Sequence, residues 1–144
     1  MDSWGVTSFE NEAAAEWFLA VEEAPDPGAV MAEAIDEALG APDELGVDAC
    51  SEAIAAAELC ACCAGQSPAA LPDRVQAWAQ ANRHAPHSDE IALAADAVSR
   101  VRDESALRDL WEDAGDYRRW AAELDDLLAR LARSSAGSPP SLSP

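Results

Sequence analysis

Three cysteines and two histidines are the residues of this chain whose types and spacing could do chemistry. Cys60, Cys62 and Cys63 lie close together, and His84 and His87 follow about twenty residues later. Thiolates and imidazoles are the ligands that zinc prefers in proteins. On this interpretation Cys60, Cys63, His84 and His87 would bind a metal ion in a small hydrolase or metal-dependent enzyme of unknown substrate.

Helix geometry favours a simpler interpretation of the same cysteines. Residues 48–64 predict one continuous helix, and a rotation of about 100° per residue turns Cys62 away from Cys60, so that the three thiols cannot converge on one ion. Cys50 and Cys60 share an apolar face with Ile54, as small core residues do. We therefore expect no metal site and no cofactor.

Other catalytic signatures are missing from the sequence. His84 and His87 lie on either side of Pro86, so they cannot use helical i, i+4 geometry, and a surface loop is the simpler interpretation. Inspection finds no nucleophile elbow, no P-loop, no dinucleotide fingerprint and no Glu-x-x-His spacing of a di-iron bundle. Carboxylates are too numerous for a catalytic pair to stand out. The sequence therefore favours a protein without enzymatic activity.

Charge is distributed unevenly along the chain. Sixteen Asp and Glu precede Arg74, the first cationic residue, whereas nine Arg and twelve Asp and Glu share the remainder, and the net charge is −19. This balance argues against nucleic acid and anionic membranes as partners, because their phosphates repel carboxylates. It favours a basic protein as the partner, or a surface that serves solubility.

The leading hypothesis is an acidic helical protein-binding module that neutralises a basic protein. Acidic domains can cover the cations of such a partner and associate with it quickly through complementary fields. In a third interpretation the acidic surface serves only solubility, and the protein forms a homodimer through the apolar stripe from Tyr117 to Leu131. Such a stripe more often belongs to the core of a small domain. The sequence leaves the oligomeric state open.

Helical periodicity divides the chain into six or seven helices, and no segment predicts a strand. Capping residues such as Asp26, Asp48 and Ser105 predict where helices begin. The clearest apolar stripes are Ala14, Trp17, Phe18 and Val21; Met31, Ala34, Ile35 and Ala38; Leu107, Leu110, Trp111 and Ala114; and Tyr117, Trp120, Leu124, Leu127, Leu128 and Leu131. Short connections between these helices predict an all-α fold, either a single compact bundle or an orthogonal array.

The sequence predicts one domain followed by a tail. Residues 1–133 are predicted to form a helical domain, and residues 134–144, rich in Ser and Pro, a disordered tail. The N-terminus lacks the cationic and apolar regions of a signal peptide, and no stretch approaches the roughly 20 apolar residues that span a bilayer. We expect a cytoplasmic protein, and the Ala content with Arg in place of Lys suggests a bacterial source.

The N-terminus carries the most distinctive local pattern. Trp4 and Gly5 are followed by Phe9, Glu10 and Asn11 and then by the first predicted helix. The aromatic rings could pack back onto the bundle, as a hydrophobic staple does, or form a recognition patch with the polar side chains. Packing is the commoner outcome for large aromatic residues, and the five residues remain our candidate motif surface.

This opening resembles that of an uncharacterised bacterial family, domain-of-unknown-function family 4259, whose members begin Trp-Gly-x-Gly-x-Phe-(Glu/Asp)-Asn-Asp, followed by Ala and an aromatic residue. The positions that match are Trp4, Gly5, Phe9, Glu10, Asn11 and Trp17, and those that depart are Thr7 and Glu12. The similarity continues through residues 72–78 and 110–115 to Trp120, and so covers nearly the whole chain except the tail. The resemblance implies a small helical domain and no particular activity.

Overall fold

The centre of the fold is a mostly apolar helix that is buried on every side over much of its length. The computed structural model describes residues 12–40, 46–66, 73–82 and 88–136. Within them α3 (Val47–Cys63) is buried continuously from Ala53 to Cys63. A helix that is hydrophobic all round has to be enclosed by others, and α3 packs against every other helix of the described chain.

Six further helices surround α3. They are α1 (Glu12–Glu23), α2 (Pro27–Gly40), α4 (Asp73–Ala81), α5 (Ser88–Asp103), α6 (Ala106–Asp113) and α7 (Tyr117–Ala136). The part of the chain that the structure describes thus holds seven helices and no strand. The prediction of an all-α fold with six to seven helices is confirmed.

The apolar stripes of three helices form much of the core. The residues that the sequence placed inward on α1 and α2 are all buried: Ala14, Trp17, Phe18, Val21, Met31, Ala34, Ile35 and Ala38. On α7, Trp120, Leu124, Leu127 and Leu131 are buried as well. Most of this stripe is therefore packed within one chain, and the hypothesis of a dimer through α7 stays a prediction.

Capping side chains begin two helices as predicted. Asp26 Oδ1 accepts a hydrogen bond from the amide three residues later at 3.3 Å, and Ser105 Oγ accepts one in the same register at 3.0 Å. Each bond satisfies an amide that has no partner within its helix. At α3 the prediction was wrong, since Gly46 is the N-cap residue and Asp48 lies in the first turn, where its charge still complements the helix dipole.

Two glycines with positive φ end α3 and α6. They are Gly65, with φ 88°, and Gly115, with φ 81°. After α3 the Gly65 amide donates to the Cys62 carbonyl at 2.9 Å, and the Gln66 amide donates to the Ala61 carbonyl at 2.8 Å. These two bonds form a Schellman motif, which brings the backbone carbonyl of Gln66 within reach of α7.

Two residues that the sequence placed inward on α6 lie at the surface. Leu110 is 37% exposed and Ala114 is exposed, whereas Leu107 and Trp111 are buried. Since α6 is only eight residues long, one i, i+4 pair is enough to make its contact with the core.

The last helix is longer than predicted. α7 continues to Ala136, past the predicted domain end at residue 133. Residues 137–144 lie outside the described residues, so the disordered tail stays a prediction. Among the helices of the described ranges, none has both the length and the apolar composition that crossing a bilayer requires.

Candidate functional site

The exposed carboxylates of the first three helices form what we call the acidic surface. They are Glu16, Glu23, Glu33, Asp36, Glu37 and Asp48. These positions alternate with the core positions of α1 and α2, so each helix presents an apolar face to the core and an acidic face to solvent. Residues 12–66 contain no Lys and no Arg, and the three helices therefore carry no cation of their own.

In the described ranges, arginines from the second half form few ion pairs with the first three helices. Among the described residues, only two carboxylates of residues 12–66 take part in ion pairs: Glu22 contacts Arg74 at 2.7 Å, and Glu58 contacts Arg130. The remaining described ion pairs join residues of the second half to one another. Within the described ranges, the exposed carboxylates of α2 therefore have no ion-pair partner, whereas on α1 Arg74 acts on Glu22 and, electrostatically, on Glu23.

Arg100 contacts the C-terminal end of α2 through backbone carbonyl groups. Its Nη1 donates to the carbonyl oxygens of Ala38 at 2.8 Å and Leu39 at 3.3 Å. A guanidinium group at the end of a helix satisfies carbonyls that lack a helical partner and complements the dipole. Arg100 thus fixes α5 to the C-terminal end of α2.

Repulsion between carboxylates is evident where α2 meets α3. Burial, together with the negative charges of Glu37 and Asp48, raises the pKa of the Glu52 carboxyl above its ordinary value of 4.5. A nearby positive charge would lower this pKa again by favouring the ionised form. The approach of a cation therefore lowers the electrostatic energy of this region.

A buried ion pair connects the central helix to α7. Arg130 Nη2 donates to Glu58 Oε1 at 3.0 Å and Nη1 donates to Glu58 Oε2, and the two side chains are 5% and 3% exposed. Arg130 also reaches Asp126 at 2.8 Å and the Gln66 carbonyl at 3.2 Å. Burial acts to lower the pKa of the guanidinium, but the hydrogen bonds and charges of Glu58 and Asp126 outweigh it and raise this pKa.

Sequence reasoning did not single out this pair, although a signal for it was present. Glu58 is the one charged residue between residues 53 and 66, and Arg130 lies directly before Leu131 on the stripe of α7. Charged residues at core positions of two helices are expected to find one another, because an unpaired buried charge is costly.

The four cysteines are all buried, and none of them forms a disulfide bond. Burial raises the pKa of Cys60 to about 12 and that of Cys63 to about 11, so both are protonated at neutral pH and are weak nucleophiles and ligands. Cys50 and Cys60 are core residues, as predicted. Cys62, which the sequence placed on the opposite side of the helix, is buried too, because α3 is enclosed on all sides.

The described residues do not support a metal centre. Within them, no group of three or more His, Cys, Asp and Glu side chains is arranged to hold a metal ion. Two sets of residues singled out by the sequence lie outside the described ranges: His84 and His87, and the candidate motif surface of Trp4, Gly5, Phe9, Glu10 and Asn11. The role of that surface stays a prediction.

Comparison with known proteins identifies the family. The family model described as domain of unknown function (DUF4259) matches residues 2–123. The chain belongs to this family. In this DUF4259 protein the buried residues continue past the matched region to Leu131, so the folded unit includes more of α7 than the match does. Comparisons with curated proteins and with solved structures found no significant match.

Proposed function

We propose that this DUF4259 protein is a non-enzymatic protein-binding module that captures a basic protein and thereby neutralises it. The observation that supports this is the acidic surface. Its exposed carboxylates lie on three helices without a cation, and the described ion pairs of those helices involve only Glu22 and Glu58.

Electrostatics explains why such a surface favours association. Carboxylates that are not compensated within the molecule repel one another, and a cationic partner replaces repulsion by attraction. An exposed ion pair contributes only roughly 0.2–1 kcal/mol, so affinity has to come from several pairs formed at once. We therefore expect fast association that weakens strongly as salt is added.

A first experiment identifies the partner. The tagged full-length protein is incubated with lysate of its native host at low salt, and bound proteins are released with a salt gradient. Release of a single basic protein at a defined salt concentration supports the proposal. Recovery of nothing, or only of ribosomal and other abundant basic proteins, contradicts it.

Matched variants then test whether the acidic surface makes the contact. Glu33→Gln with Glu37→Gln removes two charges from α2, while Glu104→Gln with Asp113→Asn removes two exposed carboxylates elsewhere and changes the net charge equally. Loss of two surface pairs is expected to weaken partner binding roughly two- to thirty-fold, and the control pair should change it far less. Equal weakening by both variants would show that net charge alone matters and that α2 is not the contact.

A further inference from the structure

An apolar pocket opens between α2, α3 and α5, next to the acidic surface. Its lining includes Met31, Ala32, Ile35 and Asp36 of α2, Cys60 of α3 and Leu93 of α5, and its volume is about 60 Å³. A single water needs roughly 10–15 Å³ by the same kind of measure, whereas sites for small-molecule ligands span roughly 300–1,000 Å³. The pocket therefore has the size for one side chain of a larger partner.

The walls of the pocket favour an apolar side chain. Met31 and Ile35 are 6% and 4% exposed and form its interior, while Leu93 is 44% exposed although it belongs to a helix with a well-buried face. Covering a large apolar residue at the surface with a partner lowers the free energy, because apolar area is removed from water. Met31 has a flexible side chain that can adapt to the shape of what enters.

The charge around the pocket determines which residues of a partner can lie next to that apolar side chain. Asp36 lines the pocket, and Glu33 and Glu37 are exposed on the same turns of α2. An apolar group attached to an anion would be repelled here, and one flanked by cations would be attracted. Apolar and electrostatic complementarity thus point to the same occupant.

We infer that this pocket is the anchor point of the acidic surface, an inference that rests on the proposed function. It receives one apolar side chain, of the size of Leu or Met, from a basic segment of the partner protein. Arg or Lys residues on either side of that side chain contact Asp36 and its neighbours on α2. A buried apolar anchor surrounded by polar contacts is the usual arrangement of a strong interface contact.

Two synthetic peptides of equal charge test the anchor on the full-length protein. Both carry the same flanking arginines, and they differ only at the central residue, which is Leu in one and Gln in the other. The Leu peptide is expected to bind roughly ten-fold more tightly, as burial of such a side chain implies. It should also shift the methyl NMR signals of Met31, Ile35 and Leu93, and the Gln peptide should not.

A substitution that fills the pocket provides the second arm. Ala32→Phe places a ring at an exposed lining position of α2, and Ala77→Phe makes the same change at an exposed position of α4. Ala32→Phe is expected to remove the advantage of the Leu peptide and to leave the affinity of the Gln peptide unchanged. Ala77→Phe should preserve the difference between the two peptides.

The remaining outcomes separate this inference from the function on which it rests. Equal affinity of the two peptides, without shifts of the three methyl signals, would overturn the anchor and leave charge capture by the acidic surface intact. Failure of both peptides to bind at low salt would overturn both. If Trp4→Ala or Phe9→Ala shifts the same signals without any peptide, the N-terminal segment of the chain occupies the pocket, and the anchor is also overturned.

Discussion

At the scale of single residues, the Glu58–Arg130 pair places two charged groups in the interior, where each needs a partner. Removing two charges from water is costly, and their attraction offsets that cost only when the geometry is good and other hydrogen bonds are satisfied. Arg130 meets this condition, since it contacts both carboxylate oxygens of Glu58 and also reaches Asp126 and the Gln66 carbonyl. Each partner therefore depends on the other to be tolerated in the core.

Arg130→Met should destabilise the protein strongly, because it leaves the Glu58 carboxylate buried without its cation. We expect the free energy of unfolding, measured by urea denaturation, to fall by roughly 3–5 kcal/mol. Replacing both residues by Met should restore most of the loss, since a matched apolar pair is tolerated where a lone charge is not.

An exposed ion pair provides the control for this prediction. Arg102 contacts Asp125 at 2.6 Å, but the Asp125 side chain is 62% exposed. Arg102→Met should cost about 1 kcal/mol or less. If Arg130→Met costs no more than Arg102→Met, the buried pair does not hold α7 to α3 in the way described.

At the scale of helices, the glycines that end α3 and α6 set where the chain turns. Gly115 has φ 81°, and a Cβ atom added to it would meet no atom within 4 Å. Any loss on substitution by Ala would therefore come from backbone conformation alone. We expect Gly115→Ala to lower the free energy of unfolding by roughly 1–2 kcal/mol.

Gly40 offers a matched comparison in α2. It ends that helix without a positive φ, and the space around it is also open. Gly40→Ala should be neutral or stabilising by up to about 1 kcal/mol, because Ala reduces the entropy of the unfolded chain. A similar loss at Gly40 and Gly115 in denaturant unfolding would show that left-handed backbone geometry is not the cause.

Helices that expose one face to solvent could be predicted from the sequence. The burial of the central helix could be predicted only in part. The stripes of α1 and α2 are local patterns, and every residue they placed inward is buried. For α3 the sequence placed Cys62 away from Cys60 but did not show that both sides of the helix are buried, because a single sequence does not reveal how many neighbours a helix has. In α6 the stripe predicted more contact with the core than the structure has, since Leu110 is partly exposed.

The candidate site divides in the same way. The acidic surface could be anticipated, because it depends on composition and on which faces of α1 and α2 are polar. The pocket could not, since Met31, Cys60 and Leu93 are far apart in sequence and the space between them exists only after packing. The Glu58–Arg130 pair joins residues 72 positions apart, beyond the reach of any local pattern.

At the scale of the whole molecule, a net charge of −19 on 144 residues dominates the electrostatics. Such an excess destabilises the compact state by self-repulsion. We expect the unfolding free energy to increase with NaCl between about 0.01 M and about 1 M, over which the Debye length falls from about 30 Å to about 3 Å. Screening of the exposed ion pairs acts in the opposite direction, but each is worth little.

The variant Glu33→Gln with Glu37→Gln separates this effect from a general influence of salt on folding. With two fewer negative charges on α2, it should be more stable than the natural chain at low salt and should gain less from added NaCl. Stability that stays constant or decreases with salt in the natural chain would mean that attractive pairs outweigh the repulsion.

The position of α3 in the middle of the chain has a consequence during synthesis. Its apolar surface is covered by α1 and α2, which precede it, and by α5 and α7, which leave the ribosome later. Until residues beyond 120 emerge, we expect the nascent chain to expose part of this Ala- and Cys-rich segment, and exposed apolar surface favours self-association. We expect the carboxylates of α1 and α2, which are synthesised before α3, to repel those of neighbouring nascent chains and so to keep the chains apart until α7 packs against α3.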